Sequence, residues 1–266
     1  MRTSCDIDIL IRQNKLEKAI SALKKAGFEV IGDRGYHDVS LLLDDANLEL
    51  HFSICEDIDY IDPLLKKVWD YTVRDGEYRY LLTNDFFTYH HIAHMLYHFL
   101  TGGCGFRTFL DLWVLRRAGF FDENEVYEFC EKAKISVFYR SVIEATEVWF
   151  EGKEDNDLID RIKKYVSAGG IYGNFSNNAA VYTTMSGGKM KFVFNLAFPN
   201  IQKMRLLYPE LNKYPILLPV CYVRRVIKKV FGGDDRPLQK IEIVKKQDSN
   251  LIKSVSDLLS DLEIRK

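Results

Sequence analysis

One short alternation near the start of this chain constrains its fold more than any other feature. In Asp6-Ile7-Asp8-Ile9-Leu10-Ile11 two acidic residues stand two apart and then give way to an apolar run. Successive side chains on a strand point to opposite faces, so Asp6 and Asp8 share one face and Ile7 and Ile9 the other. Residues 5–12 therefore predict a core strand with one functional face. Two carboxylates a few ångströms apart repel unless a cation sits between them. Magnesium suits such a pair, because it takes one or two carboxylates together with waters and substrate phosphates. Glu49 lies in a later strand-like run, Leu48-Glu49-Leu50-His51-Phe52, with His51 on its own face. A third carboxylate from a neighbouring strand would complete a two-metal site, one metal activating an attacking hydroxyl and the other stabilising a leaving pyrophosphate. The competing reading is a decorative pair on an exposed strand, since Asp-x-Asp occurs often by chance.

The surrounding pattern gives the organisation. Residues 14–26 carry Leu16, Ile20 and Leu23 at helical spacing, with Asn14 placed to cap the helix and Gly27 to end it. Strand-like runs follow at 28–31, 38–43 and 48–54, with turns at 33–35 and 44–47. Strand, helix, then strands predicts a small mixed sheet with helices on one face. After about residue 84 the periodicity turns helical over 85–101, 106–118, 123–133, 137–150 and 155–167, with Asn84, Asp122 and Asp155 as caps. Residues 169–190, rich in glycine and asparagine, read as an exposed loop with at most one short helix. Four of the six prolines fall within 198–219, which predicts an extended segment wrapping the surface. A basic amphipathic helix at 220–231 and a polar terminal helix at 236–265 complete the chain.

The totals exclude several classes. The 266 residues suit one or two domains, and 47% apolar with 28% charged residues is ordinary globular usage. The 37 basic and 38 acidic residues leave a net charge of -1, so nothing global attracts the chain to nucleic acid. Five scattered cysteines without a Cys-x-x-Cys spacing argue against a disulfide framework or a cysteine zinc site and fit a reducing compartment, with the cytoplasm as the expected location. No apolar run approaches the roughly 20 residues that span a bilayer. The 17 Phe and 15 Tyr residues fall mostly at helical core spacing.

Two further clusters have competing readings. His90, His94 and His98 share a helix face, and histidines one turn apart can chelate zinc. No His-Glu-x-x-His occurs, however, and three histidines spread over two turns cannot all reach one ion. A partly buried helix whose histidines bond to neighbouring groups is the favoured reading. Arg224, Arg225, Lys228 and Lys229 cluster on one predicted helix. They offer a surface for nucleic acid or anionic lipid, against which the near-zero net charge favours a solvated face.

Taken together, Arg2-Thr3-Ser4-Cys5-Asp6-Ile7-Asp8-Ile9-Leu10-Ile11, the following helix, Gly27-Phe28 and Leu48-Glu49-Leu50-His51-Phe52 resemble the family called uncharacterised nucleotidyltransferases, within the DNA polymerase beta-like superfamily. The His-x-x-x-His helix, the glycine-rich run at 102–112 and the proline-rich run at 198–224 also resemble it. The resemblance implies an α+β fold: a nucleotidyltransferase-like sheet module at 1–83, then a mainly helical domain at 84–266. It implies Asp6, Asp8 and Glu49 as catalytic metal ligands, with Arg2 and His51 beside them as substrate-binding residues. His94, His98, Arg107 and Asp111 would form a polar network that binds substrate, with Arg107 on a phosphate. The expected activity is magnesium-dependent transfer of a nucleoside monophosphate from a nucleoside triphosphate to an acceptor hydroxyl on a sugar, a small metabolite, a protein or an RNA end. Superfamily enzymes hold the triphosphate on a glycine turn upstream of the Asp-x-Asp, where helix N-terminal amides bind anions. Five residues precede Asp6 and none is glycine. The alternatives are therefore an upstream start, a shortened form, or a catalytically impaired protein that keeps the fold as a binding or regulatory module. A metallohydrolase centred on the histidine helix ranks last.

Overall fold

The alternation at the start does form a strand. In the computed structural model the described residues are 7–32, 35, 37–170, 173–191, 194, 198–199, 201–231 and 248–264, with backbone alone at 202–203, 206, 209, 226 and 228–231. Strand β1 (Ile7–Leu10) lies parallel to β4 (Ala46–His51). β4 pairs antiparallel with β3 (Asp38–Leu43), which pairs antiparallel with β2 (Glu29–Val30). The sheet order is β1-β4-β3-β2. Asp44 and Asp45 close the β3–β4 hairpin, and Asp44 takes the left-handed conformation (φ 51°) that aspartate tolerates in tight turns.

Helix α1 (Leu16–Lys25) covers one sheet face. Its stripe of Leu16, Ala19, Ile20 and Leu23 packs on Val39, Leu41, Leu48 and Leu50, and all four of those strand residues are buried. The helix ends in a Schellman turn: Phe28 N–H donates to Leu23 O (3.0 Å) and Gly27 N–H to Lys24 O (3.1 Å). Asn14, expected to cap the start, lies instead within a 3-10 turn at Gln13–Lys15, and no side chain caps the helix. β1 was expected to be a core strand. Among the described residues it is the edge strand, and Ile7 and Ile9 remain 54% and 43% exposed because α1 seats over β3 and β4.

The chain forms two compact units, Met1–Ala93 with Phe121–Lys134, and His94–Phe120 with Ile135–Lys266. Besides the sheet, the first unit holds a hairpin of β5 (Thr72–Asp75) and β6 (Arg79–Leu82), which the sequence reading did not anticipate. It also holds helix α2 (Asp62–Leu65), the start of α3 (Asn84–Leu100) and all of α5 (Glu123–Lys132). Tyr71 stacks on Phe86 at 4.4 Å, and Phe129 meets both edge-on. Asp122 caps α5, accepting from Asn124 and Glu125 N–H.

The second unit is helical. It contains the end of α3, α4 (Phe106–Arg117), α6 (Ser136–Glu151), α7 (Asp157–Gly169) and α8 (Phe175–Ser186). After them come α9 (Ile201–Leu207), α10 (Leu218–Phe231) and α11 (Ser249–Asp261). Its core brings Phe99 against Phe138 and Tyr165, and Trp149 against Phe106 and Phe109. Among the described residues of 84–170 there is no strand. Three expectations are corrected here. Residues 175–186, where at most a short helix within an exposed loop was expected, form a regular 12-residue helix with Asn177, Ala179, Ala180 and Val181 buried. The proline-rich run folds into short helical turns at 201–207, 209–212 and 215–217 instead of an extended strap, because Pro209 and Pro215 stand at first helical positions, where a missing N–H is harmless. Asn156, not Asp155, caps α7 through Ile159 N–H. Of the expected terminal helix, 249–261 is present, and 236–247 lies outside the described residues.

The loop after α3 meets the α7–α8 connection at backbone contact. Gly102 has φ 125°, and a Cβ there would fall 2.6 Å from Asn174 O; one on Gly173 would fall 2.9 Å from Gly102 C. Asn174 N–H donates to Gly102 O (3.1 Å), Asn178 Nδ2 to Thr101 O (2.9 Å) and Tyr165 Oη to Phe99 O (2.7 Å). Only glycine permits this approach.

Candidate metal and nucleotide site

The face of the sheet opposite α1 is polar. Cross-strand register places Asp8 beside Glu49 on parallel strands, and Ser40 beside Glu49 on the antiparallel side. His51 follows Glu49 by two residues, so it shares that face, and Asp38 is its register partner on β3. Three short strands, of which β3 and β4 are buried on the α1 side, thus present their alternate residues as one acidic and imidazole surface.

His51 is its centre. Its Nε2 lies 3.0 Å from Asp8 Oδ1 and 3.5 Å from Glu49 Oε2. A carboxylate only accepts, so the Nε2 nitrogen carries the hydrogen and donates it to Asp8. His37 stacks on His51 with 5.6 Å between ring centroids and 10° between planes. His37 Nε2 stands 3.7 Å from Asp38 Oδ1. The Asp8 side chain is 63% exposed, Glu49 30% and His51 20%, which leaves the outer flank of the cluster open to a ligand.

One ligand atom from each of Asp8, Glu49 and His51 can be chosen so that all lie within 4.8 Å of one another. That spacing lets a single divalent cation reach all three after small side-chain rotations. The two carboxylates fit a hard cation such as magnesium or manganese, and the imidazole widens the set toward softer ions. Among the described residues this is the one group of three or more such side chains.

The other sequence-predicted residues are placed as follows. Asp6 and Arg2 lie outside the described residues. His94 and His98 meet one turn apart on α3 with 2.9 Å between their Nε2 atoms, in the second unit. Arg107 is exposed in the first turn of α4, and the partly buried Asp111 stands one turn further on. The structure therefore joins Asp8, Glu49 and His51 to one another, and His94 to His98. Sequence reasoning missed His37, Asp38 and Ser40. Their signal was the alternation His37-Asp38-Val39-Ser40-Leu41, whose apolar members are the buried ones.

A sheet with carboxylates on adjacent parallel strands, backed by one helix and followed by helices, agrees with the comparison to known families. Residues 1–151 match the family described as uncharacterised nucleotidyltransferase, more than half of the 266 residues, and the chain belongs to that family. Membership supports nucleotidyl transfer as the general reaction and implies a nucleoside triphosphate as substrate. No curated protein and no solved structure matches. Among the described residues no helix is long and apolar enough to cross a membrane.

Proposed function

We propose that the polar sheet face is a magnesium-dependent nucleotidyl-transfer site in which Asp8 and Glu49 hold the metal, His51 holds Asp8 in place, and Asp6, by the family resemblance, adds a further ligand. The observation that supports this most is the register that sets Asp8 beside Glu49 on parallel strands while His51 reaches both. In the reaction an acceptor hydroxyl oxygen forms a bond to the α-phosphorus of a nucleoside triphosphate. The bond from that phosphorus to the bridging oxygen of the β-phosphate breaks, and pyrophosphate leaves with the electron pair. The hydroxyl proton passes to a carboxylate of the cluster and then to solvent. Magnesium, when bound, would neutralise phosphate charge and acidify the attacking hydroxyl. The His51 hydrogen bond orients Asp8 before any ligand arrives, which is preorganisation by a neighbouring shell. Substrate roles for Arg2, His94, His98, Arg107 and Asp111 rest on the family resemblance.

The test is thermal melting with and without magnesium, joined to calorimetric titration of nucleoside triphosphates. A cation that binds only the native state at a hundred times its Kd adds about 2.7 kcal/mol of stability. The wild type should melt higher with magnesium. Asp8→Asn and Glu49→Gln should lose that shift, while relief of carboxylate repulsion leaves the apo proteins as stable as the wild type or slightly more so. Equal shifts in all three would remove the basis of the proposal.

A further inference from the structure

The metal cluster makes no use of His37, yet the fold fixes that residue beside it. His37 precedes β3, and its carbonyl accepts from Phe52 N–H (2.9 Å) and Ser53 N–H (3.3 Å), the residues that follow β4. Strand alternation would turn its side chain toward α1 with Val39. A bend at residue 37 breaks the alternation and brings the ring parallel to His51 instead, with 10° between planes and 5.6 Å between centroids. The turn before it is tight as well: Gly35 N–H donates to Asp38 O (3.0 Å), and the Asp38 carboxylate occupies the space where a Cβ on residue 35 would stand. The backbone around the ring is thus fixed on both sides, while the His37 side chain stays 40% exposed. One face meets His51 and Nε2 stands 3.7 Å from Asp38 Oδ1, so the exposure lies on the opposite face and the outer edge.

The charge beside that face selects its ligand. Asp38 stands next to the ring, and Asp8 and Glu49 lie beyond His51. A phosphate seated on His37 would meet the Asp38 carboxylate, away from the three metal ligands that could offset its charge. An uncharged flat ring meets no such repulsion, and an imidazole face is a stacking platform for a nucleobase. His51 Nε2 is 3.0 Å from Asp8 Oδ1, so His37 lies one ring beyond the groups that would hold the metal and, through it, the phosphates. That order, carboxylates and then two parallel rings, matches the order of phosphate and base along a nucleotide.

We propose that the outer face of His37 stacks on the base of the nucleoside triphosphate, and that this platform favours purines, whose fused rings cover more of the imidazole than a pyrimidine does. The inference rests on the nucleotidyl-transfer reading of the same face. It adds the contact that distinguishes a nucleotide from bare polyphosphate.

Calorimetric titration of the full chain with magnesium ATP and with magnesium tripolyphosphate tests this, since only the first probe carries a base. His37→Ala should weaken magnesium ATP about five- to tenfold, the lower end of what losing one base–aromatic stack costs. It should leave tripolyphosphate affinity and the magnesium melting shift as in the wild type. His37→Phe keeps a flat face without a nitrogen, and it should bind magnesium ATP at least as tightly as the wild type. ATP and GTP should bind the wild type a few-fold tighter than CTP and UTP, and equal affinities would remove the purine preference. Equal binding of magnesium ATP by the wild type and His37→Ala, with magnesium and tripolyphosphate still bound, would overturn the inference and leave the metal site standing. An equal loss on both probes would also overturn it, as would a His37→Phe protein as weak as His37→Ala, because His37 would then act through a nitrogen. A wild type that binds neither magnesium nor ATP would instead overturn the nucleotidyl-transfer reading, and the inference with it.

Discussion

The polar face of the sheet and the junction where the loop after α3 meets α7 and α8 use polar side chains in opposite ways. On the sheet, His51 donates to Asp8, approaches Glu49 and stacks on His37, so its contacts join one functional side chain to another. In the helical unit Asn174, Asn177, Asn178 and Tyr165 direct their donors to backbone carbonyls of Ala168, Tyr165, Thr101 and Phe99. A polar group bonded to backbone completes the fold and cannot be released without leaving a carbonyl unsatisfied. A polar group bonded to another ionisable side chain can exchange that partner for a ligand. The contrast separates residues that build the molecule from residues that act.

The sharpest way to break this contrast is at Asp8. Asp8→Asn should lower nucleotide transfer by about two to three orders of magnitude, the scale of losing a preorganised electrostatic group, with the melting temperature held or raised. A loss of stability matching the loss of rate would place Asp8 among the structural residues. The two faces of β3 come next. Leu41→Ala should destabilise the protein by about 2–5 kcal/mol, while Ser40→Ala, on the opposite face, should stay within about 0.5 kcal/mol in urea unfolding. In the helical unit Gly102→Ala forces a side chain at φ 125° against Asn174 O. It should remove about 2 kcal/mol or more, and the magnesium-dependent melting shift should persist.

The smallest effects concern single caps and pairs. Asp122→Ala should lose about 1 kcal/mol with the α5 cap. Lys153 and Arg116 donate to Glu147 at 2.8 and 2.7 Å, and they hold its carboxyl below the usual carboxylate range, the Lys153 hydrogen bond being the largest cause. A depressed folded pKa gives stability that is present above the unfolded value of about 4.3 and is lost as pH falls through the folded one. Glu147→Gln should therefore lower the melting temperature slightly at neutral pH and converge with the wild type at low pH, which flattens the acid limb of the profile.

Sequence alone made the first strand, its two faces and the α1 stripe legible, because period-2 and helical spacings are local properties. The register that sets Asp8 beside Glu49 is not local: β1 and β4 are separated by a helix and a hairpin, and their alignment follows from packing Leu48 and Leu50 under α1. The helix at 175–186 was hidden by composition. Its asparagines and the flanking glycines have loop propensity, but Asn174 caps it through Asn177 N–H, and Asn177 and Asn178 satisfy carbonyls of neighbouring segments. Tertiary hydrogen bonds outweighed propensity there. The β5–β6 hairpin escaped notice because each strand is only four residues long, too short to show a period.

Cys55, Cys104, Cys130 and Cys221 are all buried free thiols. Burial pushes the Cys104 thiol up to about 12 and raises Cys130 as well, and a thiol that stays protonated reacts slowly with alkylating reagents. Alkylation of these side chains therefore needs an opening event, and each thiol times a different one. Cys130 on α5 and Cys104 after α3 lie deep in the first and second units, whereas Cys221, on the basic helix itself, sits in a small cluster with Met204 and Leu211 that Tyr208, Leu218 and Tyr222 pack against. Mass-resolved labelling would read the lifting of that helix separately from global unfolding. The native cysteines thus serve as position-specific clocks of local opening without any engineered probe.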